Sequence, residues 1–222
     1  MSEFDRYANQ YRTALDRSLA MSGETSEYFA RHKAAYIARM LDPGKRKILD
    51  FGCGVGLLSS ELATMRPDDC LHGFDVSRES LERVDVRLRA AGLFTSELQE
   101  LHTDYDVIVL ANVMHHVPTG QRAGMISDLA HRLATGGILL VIEHNPLNPA
   151  TRWVVSQCEF DADAVLLRPR EVRAYAVGAG LSHRRLDYLL FFPRVFSGLR
   201  KLEPALRWCP LGAQYAISAV RS

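Results

Sequence analysis

The sequence predicts a doubly wound α/β domain built on a mostly parallel sheet, and three observations lead there. Short apolar segments alternate with helical ones along most of the chain. Two of those segments, residues 107–111 (VIVLA) and 138–142 (ILLVI), are apolar without interruption, as strands buried on both faces are. A third segment ends in Asp50 and runs directly into a glycine-rich turn and a helical pattern, the arrangement that places a ligand at the carboxyl edge of such a sheet.

The chain of 222 residues fits one domain, and its 47% hydrophobic and 24% charged residues are ordinary for a globular protein. Basic and acidic residues number 27 and 26, so no chain-wide positive field invites a nucleic acid, and no nucleic-acid partner is expected. Cys53, Cys70, Cys158 and Cys209 are scattered and form no C-x-x-C pair, so reduced thiols in the cytoplasm are the expected state. The first 30 residues lack the apolar core of a signal peptide, and no stretch approaches the ~18 apolar residues of a transmembrane helix.

Taken in order, residues 3–19 read as a polar helix. A second helix starts at Glu24 or Thr25 and runs to Leu41, where Asp42-Pro43-Gly44 stops it. Strands follow at 47–51, 71–75, 106–111 and 136–143, with helices at 57–65, 78–91 and 121–133 between them. One strand has to lie within 92–105, where the pattern is poor. A proline- and asparagine-rich insert after Glu143 leads to a helix at 168–177, and strands at 186–192 and 214–221 complete seven.

The turn Gly52-Cys53-Gly54-Val55-Gly56 carries the first chemical signal. Glycines let a backbone approach a ligand closely, and the helix that follows offers free N–H groups. Its spacing is G-x-G-x-G, with Leu57 next, whereas the pyrophosphate loop of dinucleotide enzymes reads G-x-G-x-x-G. That mismatch counts against an NAD-dependent oxidoreductase. With the acid before it, Asp50-Phe51-Gly52-Cys53-Gly54-Val55-Gly56 resembles the first motif of class I S-adenosylmethionine-dependent methyltransferases, and the order of elements from about Lys45 to Arg221 resembles that family too.

The resemblance implies a Rossmann-like sheet with an antiparallel last strand and S-adenosyl-L-methionine as cofactor. The methyltransferase domain it implies covers 45–222. Two regions depart from a minimal member of the family, an N-terminal helical lid over residues 1–44 and a cap insertion at 193–212, and both are expected to shape the acceptor pocket. The resemblance also implies that Gly52, Gly54 and Gly56 wrap the amino acid end of the cofactor while Asp50 helps to hold its ammonium. Asp75 and Val76, in Gly73-Phe74-Asp75-Val76-Ser77, close the second strand. There a carboxylate can accept hydrogen bonds from both ribose hydroxyls; the plainer alternative is that Asp75 or Ser77 caps the next helix. Asn112 passes its main chain beside the cofactor, and the adenine edge falls to Ser96-Glu97-Leu98.

Three histidines stand at strand ends and are candidates for a general base: His115, His116 and His144. A neutral imidazole at physiological pH could take the proton of an alcohol or phenol. His116-Val117-Pro118 also matches a scaffold pattern of the family, and His144 can simply begin a loop. No metal site is expected, because neither H-E-x-x-H nor a cysteine–histidine cluster is present.

Methyl transfer to a small-molecule or lipid-linked acceptor is therefore expected, with O-methylation ahead of N-methylation of a small amine and of a non-catalytic cofactor-binding scaffold. Tyr28, His32 and Phe192 are the candidate acceptor contacts. Segment 193–208 mixes Val195, Phe196, Leu199 and Trp208 with Arg194, Arg200, Lys201 and Arg207. A basic amphipathic segment of this kind can touch a membrane surface, roof an apolar pocket, or join two copies as a homodimer.

Overall fold

The computed structural model describes residues 23–158 and 164–222; the helix expected at 3–19 lies outside the described residues. The first described helix, α1 (Ser26–Met40), is capped by Thr25, whose hydroxyl accepts the Tyr28 N–H at 3.4 Å. Ala30, Lys33, Ala34 and Ile37 fall on its buried face, which packs on α2 (Leu57–Met65). A lysine on that face is unusual, because burying an ammonium is costly without compensation.

Seven strands form one sheet: β1 (Lys47–Phe51), β2 (Cys70–Phe74), β3 (Phe94–Thr95), β4 (Tyr105–Ala111), β5 (Leu133–His144), β6 (Leu181–Leu189) and β7 (Gln214–Arg221). Their order is β3-β2-β1-β4-β5-β7-β6, with β7 antiparallel to both neighbours and the rest parallel. The chain works outward from β1 to β3 and then crosses back to β4, so order reverses between β1 and β4. At such a switch point the strand ends splay apart and leave a crevice. Apolar clusters cover both faces of the sheet, one around Leu110, Ile126 and Tyr215, the other around Ile37, Leu62 and Leu140.

The missing strand is β3, only two residues long and at the sheet edge, which explains its faint signal. The helix expected across 78–91 is two short ones, α3 (Arg78–Glu82) and α4 (Val86–Ala91). Ser77 caps the first and Asp85 the second, accepting Arg87 N–H at 2.7 Å. The chain then continues through α5 (Thr119–Arg132), α6 (Pro149–Ser156) and α7 (Pro169–Gly178). Helix α6 was not apparent in the proline-rich insert; Asn148 caps it and Pro149 sits where a missing N–H costs nothing. Strand β6 begins at Leu181, not at 186, because its first half is a polar edge. It stops before Leu190, whose φ of 61° turns the chain away. Within the insertion, a kinked 3-10 segment (Arg194–Leu202) precedes α8 (Glu203–Leu206). No helix among the described residues is long and apolar enough to cross a membrane.

Candidate active site

A cavity of about 580 Å³ opens where β1 and β4 part. Its floor is Asp50, Gly52, Gly54, Ala111 and Asn112. Helix α1 contributes Tyr28, Phe29, Ala30 and Lys33, and α6 contributes Thr151, Trp153 and Val154. The far end is made by His144, Phe191, Phe192, Arg200 and Gln214.

The three glycines of the loop serve different ends. Gly52 has φ +80°, and a Cβ there would come within 2.5 Å of Val113. Gly56, φ +77°, caps α2 against Val84 and does not line the cavity. Gly54 has φ +54°, and a Cβ there would meet nothing within 4 Å, so it would stand in open space at the cleft floor. That is the position where a ligand's backbone-close approach needs glycine.

Asp75 lies beyond the cavity edge and secures this loop: its Oδ2 accepts Gly54 N–H at 2.8 Å and its Oδ1 accepts Ser77 N–H at 2.9 Å. Val76 beside it is 56% exposed. In the expected adenine segment, Ser96 and Glu97 both bind Arg78, at 3.1 and 2.5 Å.

Asp50 and Lys33 are the buried charged residues of the cavity lining. The Asp50 carboxylate accepts Ser59 Oγ–H at 2.7 Å. Burial raises its pKa to about 6, opposed by that hydrogen bond and by the charge of Lys33, while the charge of Asp75 pushes the same way as burial. Lys33 is 8% exposed, lines the cavity, and has no direct ion-pair partner among the described residues. Burial pulls its ammonium down to about 8, against the charges of Glu143 and Asp50. Its role was not apparent in the sequence, although its helical spacing from Ala30 and Ile37 places it on the buried face.

The three candidate histidines separate. His144, at the end of β5, lines the cavity. His115 is 2% exposed and outside the lining, its Nδ1 2.5 Å from Glu143 Oε2. The same carboxylate accepts the N–H groups of Val113 and Met114 at 3.0 and 2.7 Å. Burial alone would raise Glu143, but the charge and hydrogen bond of His115, with His144 and Met114 adding, hold it below the usual carboxylate range. His115 and Glu143 together thus fasten the turn after β4. His116 packs against His115 with the rings tilted by 48° and their centres 4.1 Å apart, and also lies outside the lining.

Of the expected acceptor contacts, Tyr28 and Phe192 line the cavity. His32 does not; it faces a neighbouring cavity of about 320 Å³. Asn112 lines the cavity with φ 60°; its N–H donates to Ile142 O at 2.8 Å. Its Oδ1 accepts from Gln214 Nε2 at 3.2 Å, and the Gln214 Oε1 is buried without a partner among the described residues. An orphaned buried acceptor is expensive and rare in native structures. Register places Gln214 opposite His144, so both stand at the same end of the cavity.

Two asparagines in the insert hold that end in place. Asn145 is fully buried and donates to Pro210 O and Gly212 O at 2.9 and 2.7 Å while accepting Leu147 N–H. Asn148 donates to Leu211 O at 2.6 Å.

Residues 24–179 match a family described as a methyltransferase domain. The chain is 27% identical over 213 residues to the "Ubiquinone biosynthesis O-methyltransferase" of Xylella fastidiosa, a match covering 81% of this chain and 82% of that protein. Other curated relatives match in part: the chain spans 27% of an uncharacterised Synechococcus protein and 33% of an Acinetobacter baylyi "Ribosomal RNA small subunit methyltransferase C", each 28% identical. In fold it resembles a SAM-dependent methyltransferase from Archaeoglobus fulgidus (TM-score 0.73, 13% identity, 96% of this chain and 100% of that one). It also resembles magnesium protoporphyrin IX methyltransferase from Synechocystis, solved with bound SAM (TM-score 0.65, 17% identity, 98% and 95%).

Proposed function

Since the chain belongs to this family of SAM-dependent methyltransferases, we propose that it methylates a hydroxyl of a small or lipid-linked acceptor with a partly apolar body. The observation that carries this reading is one cavity with two unlike ends. Sheet order sets Asp50 and the Gly54 loop, at the end of β1, apart from His144 and Gln214, on β5 and β7, with β4 between them.

The residues at the first end suit the methionine part of the cofactor. The Asp50 carboxylate would take its ammonium and the Lys33 ammonium its carboxylate, so that each buried charge meets its opposite. Asp75, which anchors the glycine loop at the end of β2, would accept from the ribose hydroxyls. The bound sulfonium supplies a methyl group that is already activated. What remains for the protein is to align the acceptor and exclude water.

At the second end, His144 would accept the acceptor's proton as the oxygen–methyl bond forms. The partnerless Gln214 Oε1 favours an acceptor that brings a hydrogen-bond donor, as a hydroxyl does. Trp153, Val154, Phe191 and Phe192 would cover its apolar body. An amine acceptor would bring the same donor without needing His144 as base. Four free cysteines fit our placement of this reaction in the cytoplasm.

The test is a screen of phenols and long-chain alcohols with methyl-labelled cofactor, repeated with a His144→Gln variant. Transfer to oxygen, with kcat reduced by ~10²–10⁴ in the variant and cofactor affinity retained, is expected. Transfer to nitrogen only, indifferent to His144, would replace the hydroxyl reading with an amine one.

A further inference from the structure

The second cavity, of about 320 Å³, lies between α1 and the insertion and shares Tyr28 and Arg200 with the first. Its lining is strongly one-sided in charge. Arg39, Arg200, Lys201 and Arg207 contribute cations, and Glu203 contributes the one carboxylate among its lining residues. Glu203 is committed elsewhere: its Oε1 accepts the N–H groups of Phe191 and Phe192 at 3.1 and 3.2 Å, which shapes the turn after β6. Arg200 is also engaged, with Glu24 at 2.7 Å and Phe192 O at 3.1 Å. Arg39, Lys201 and Arg207 have no acidic partner among the described residues. Even with Glu24 set against Arg200, four cations face two carboxylates, an excess of two positive charges.

The guanidiniums are held, not merely present. Arg200 lies 4.5 Å over the Tyr28 ring and Arg207 5.4 Å over the Tyr36 ring, so each has a planar support that leaves its donors free at the edge. His32 sits among them with its pKa lowered to about 4 by burial first and then by Arg39, Arg200, Lys33 and Arg207. It is therefore neutral, and its 3.9 Å approach to Glu203 is not an ion pair at neutral pH. A neutral imidazole in a cationic cavity is a donor that adds no repulsion for a further cation and no charge of its own.

We infer that this cavity is a binding site for a phosphate-class dianion, bridged by Arg39 on α1 and by Lys201 and Arg207 on the insertion. A phosphate or diphosphate group matches both the charge excess and the fork geometry of guanidinium donors. Its binding ties α1 to the insertion, the two elements that cover the larger cavity. The inference stands on the second cavity alone and does not depend on which acceptor is methylated.

The test is calorimetric titration of the whole chain with inorganic pyrophosphate at ~0.15 M salt, where unspecific surface attraction is largely screened. An Arg39→Gln/Lys201→Gln variant and a control variant, Lys45→Gln, are titrated beside it. Saturable one-site binding that weakens by ~10–100-fold in the double variant and not in the control is expected. S-adenosylhomocysteine is titrated into all three, and unchanged affinity there shows that the variants are folded. Vesicles of phosphatidic acid against phosphatidylcholine distinguish the source: binding that pyrophosphate displaces identifies a lipid headgroup, and pyrophosphate binding without vesicle binding identifies a soluble phosphate. Absence of pyrophosphate binding, or binding that the double variant leaves intact, overturns the site. Failure of S-adenosylhomocysteine to bind the wild type counts against the methyltransferase reading instead.

Discussion

Lys33 on α1 and Asp50 at the end of β1 line the same cavity without touching, and each offsets part of the other's burial. The carboxylate keeps Lys33 more readily protonated, and the ammonium keeps Asp50 more readily ionised. Two separated, buried, opposite charges are poorly compensated by each other. A zwitterion placed between them would compensate both, and the amino acid end of the proposed cofactor is one.

Replacing Lys33 by methionine keeps most of the side chain's bulk and removes its charge. S-adenosylhomocysteine should bind ~10–100-fold more weakly to that variant, the range for a lost charge-assisted hydrogen bond. 5′-Methylthioadenosine, which lacks the amino acid end, should bind as it does to the wild type. Equal losses for both ligands would place Lys33 elsewhere in the site.

The Asp50 carboxyl, raised to about 6, must be ionised to hold an ammonium. Affinity for S-adenosylhomocysteine should therefore fall as pH drops through about 6. The sign for the empty protein is opposite. A carboxyl whose folded pKa lies above its unfolded one stabilises most below the unfolded value of 3.8, and that contribution is lost as pH rises through about 6. Calorimetric affinities between pH 5 and 7.5, with Asp50→Asn as the variant lacking the titration, check this.

Gly52 and Gly54 should separate stability from binding. Alanine at 52 collides with Val113 and should destabilise by ~1–3 kcal/mol in urea unfolding. Alanine at 54 meets no atom, so its cost is the ~1–2 kcal/mol of a left-handed backbone, but its methyl enters the cleft and should impair cofactor binding well beyond that cost.

Asn145 bonds to two carbonyls of the segment before β7 and to its own loop. Alanine there leaves the buried Gly212 carbonyl unpaired and should cost ~1–3 kcal/mol of unfolding free energy. It should also lower activity by loosening His144 and Gln214, which flank that junction.

The parts readable from the sequence are those fixed by local patterns. The buried strands β4 and β5 declare themselves by unbroken apolar runs, and Asp50 with its three glycines makes a turn of recognisable spacing. The parts that were not readable depend on contacts between distant segments. Lys33 looks like any helix lysine until α1 is laid against the sheet. Gln214 looks like an ordinary strand start until its amide meets Asn112 across 102 positions of chain. His115 and His144 are indistinguishable as sequence; only packing buries one against Glu143 and turns the other to the cavity. The break at Asp85 was legible in principle, since an aspartate can cap a new helix in the middle of a charged run.

The most direct test of the central claim is titration of the purified wild type with S-adenosylhomocysteine, with Asp75→Ala alongside. The account predicts micromolar binding to the wild type and a loss of at least tenfold in the variant, which loses the Gly54 anchor and the proposed ribose contact. A wild-type protein shown to be folded that binds no S-adenosylhomocysteine would contradict it.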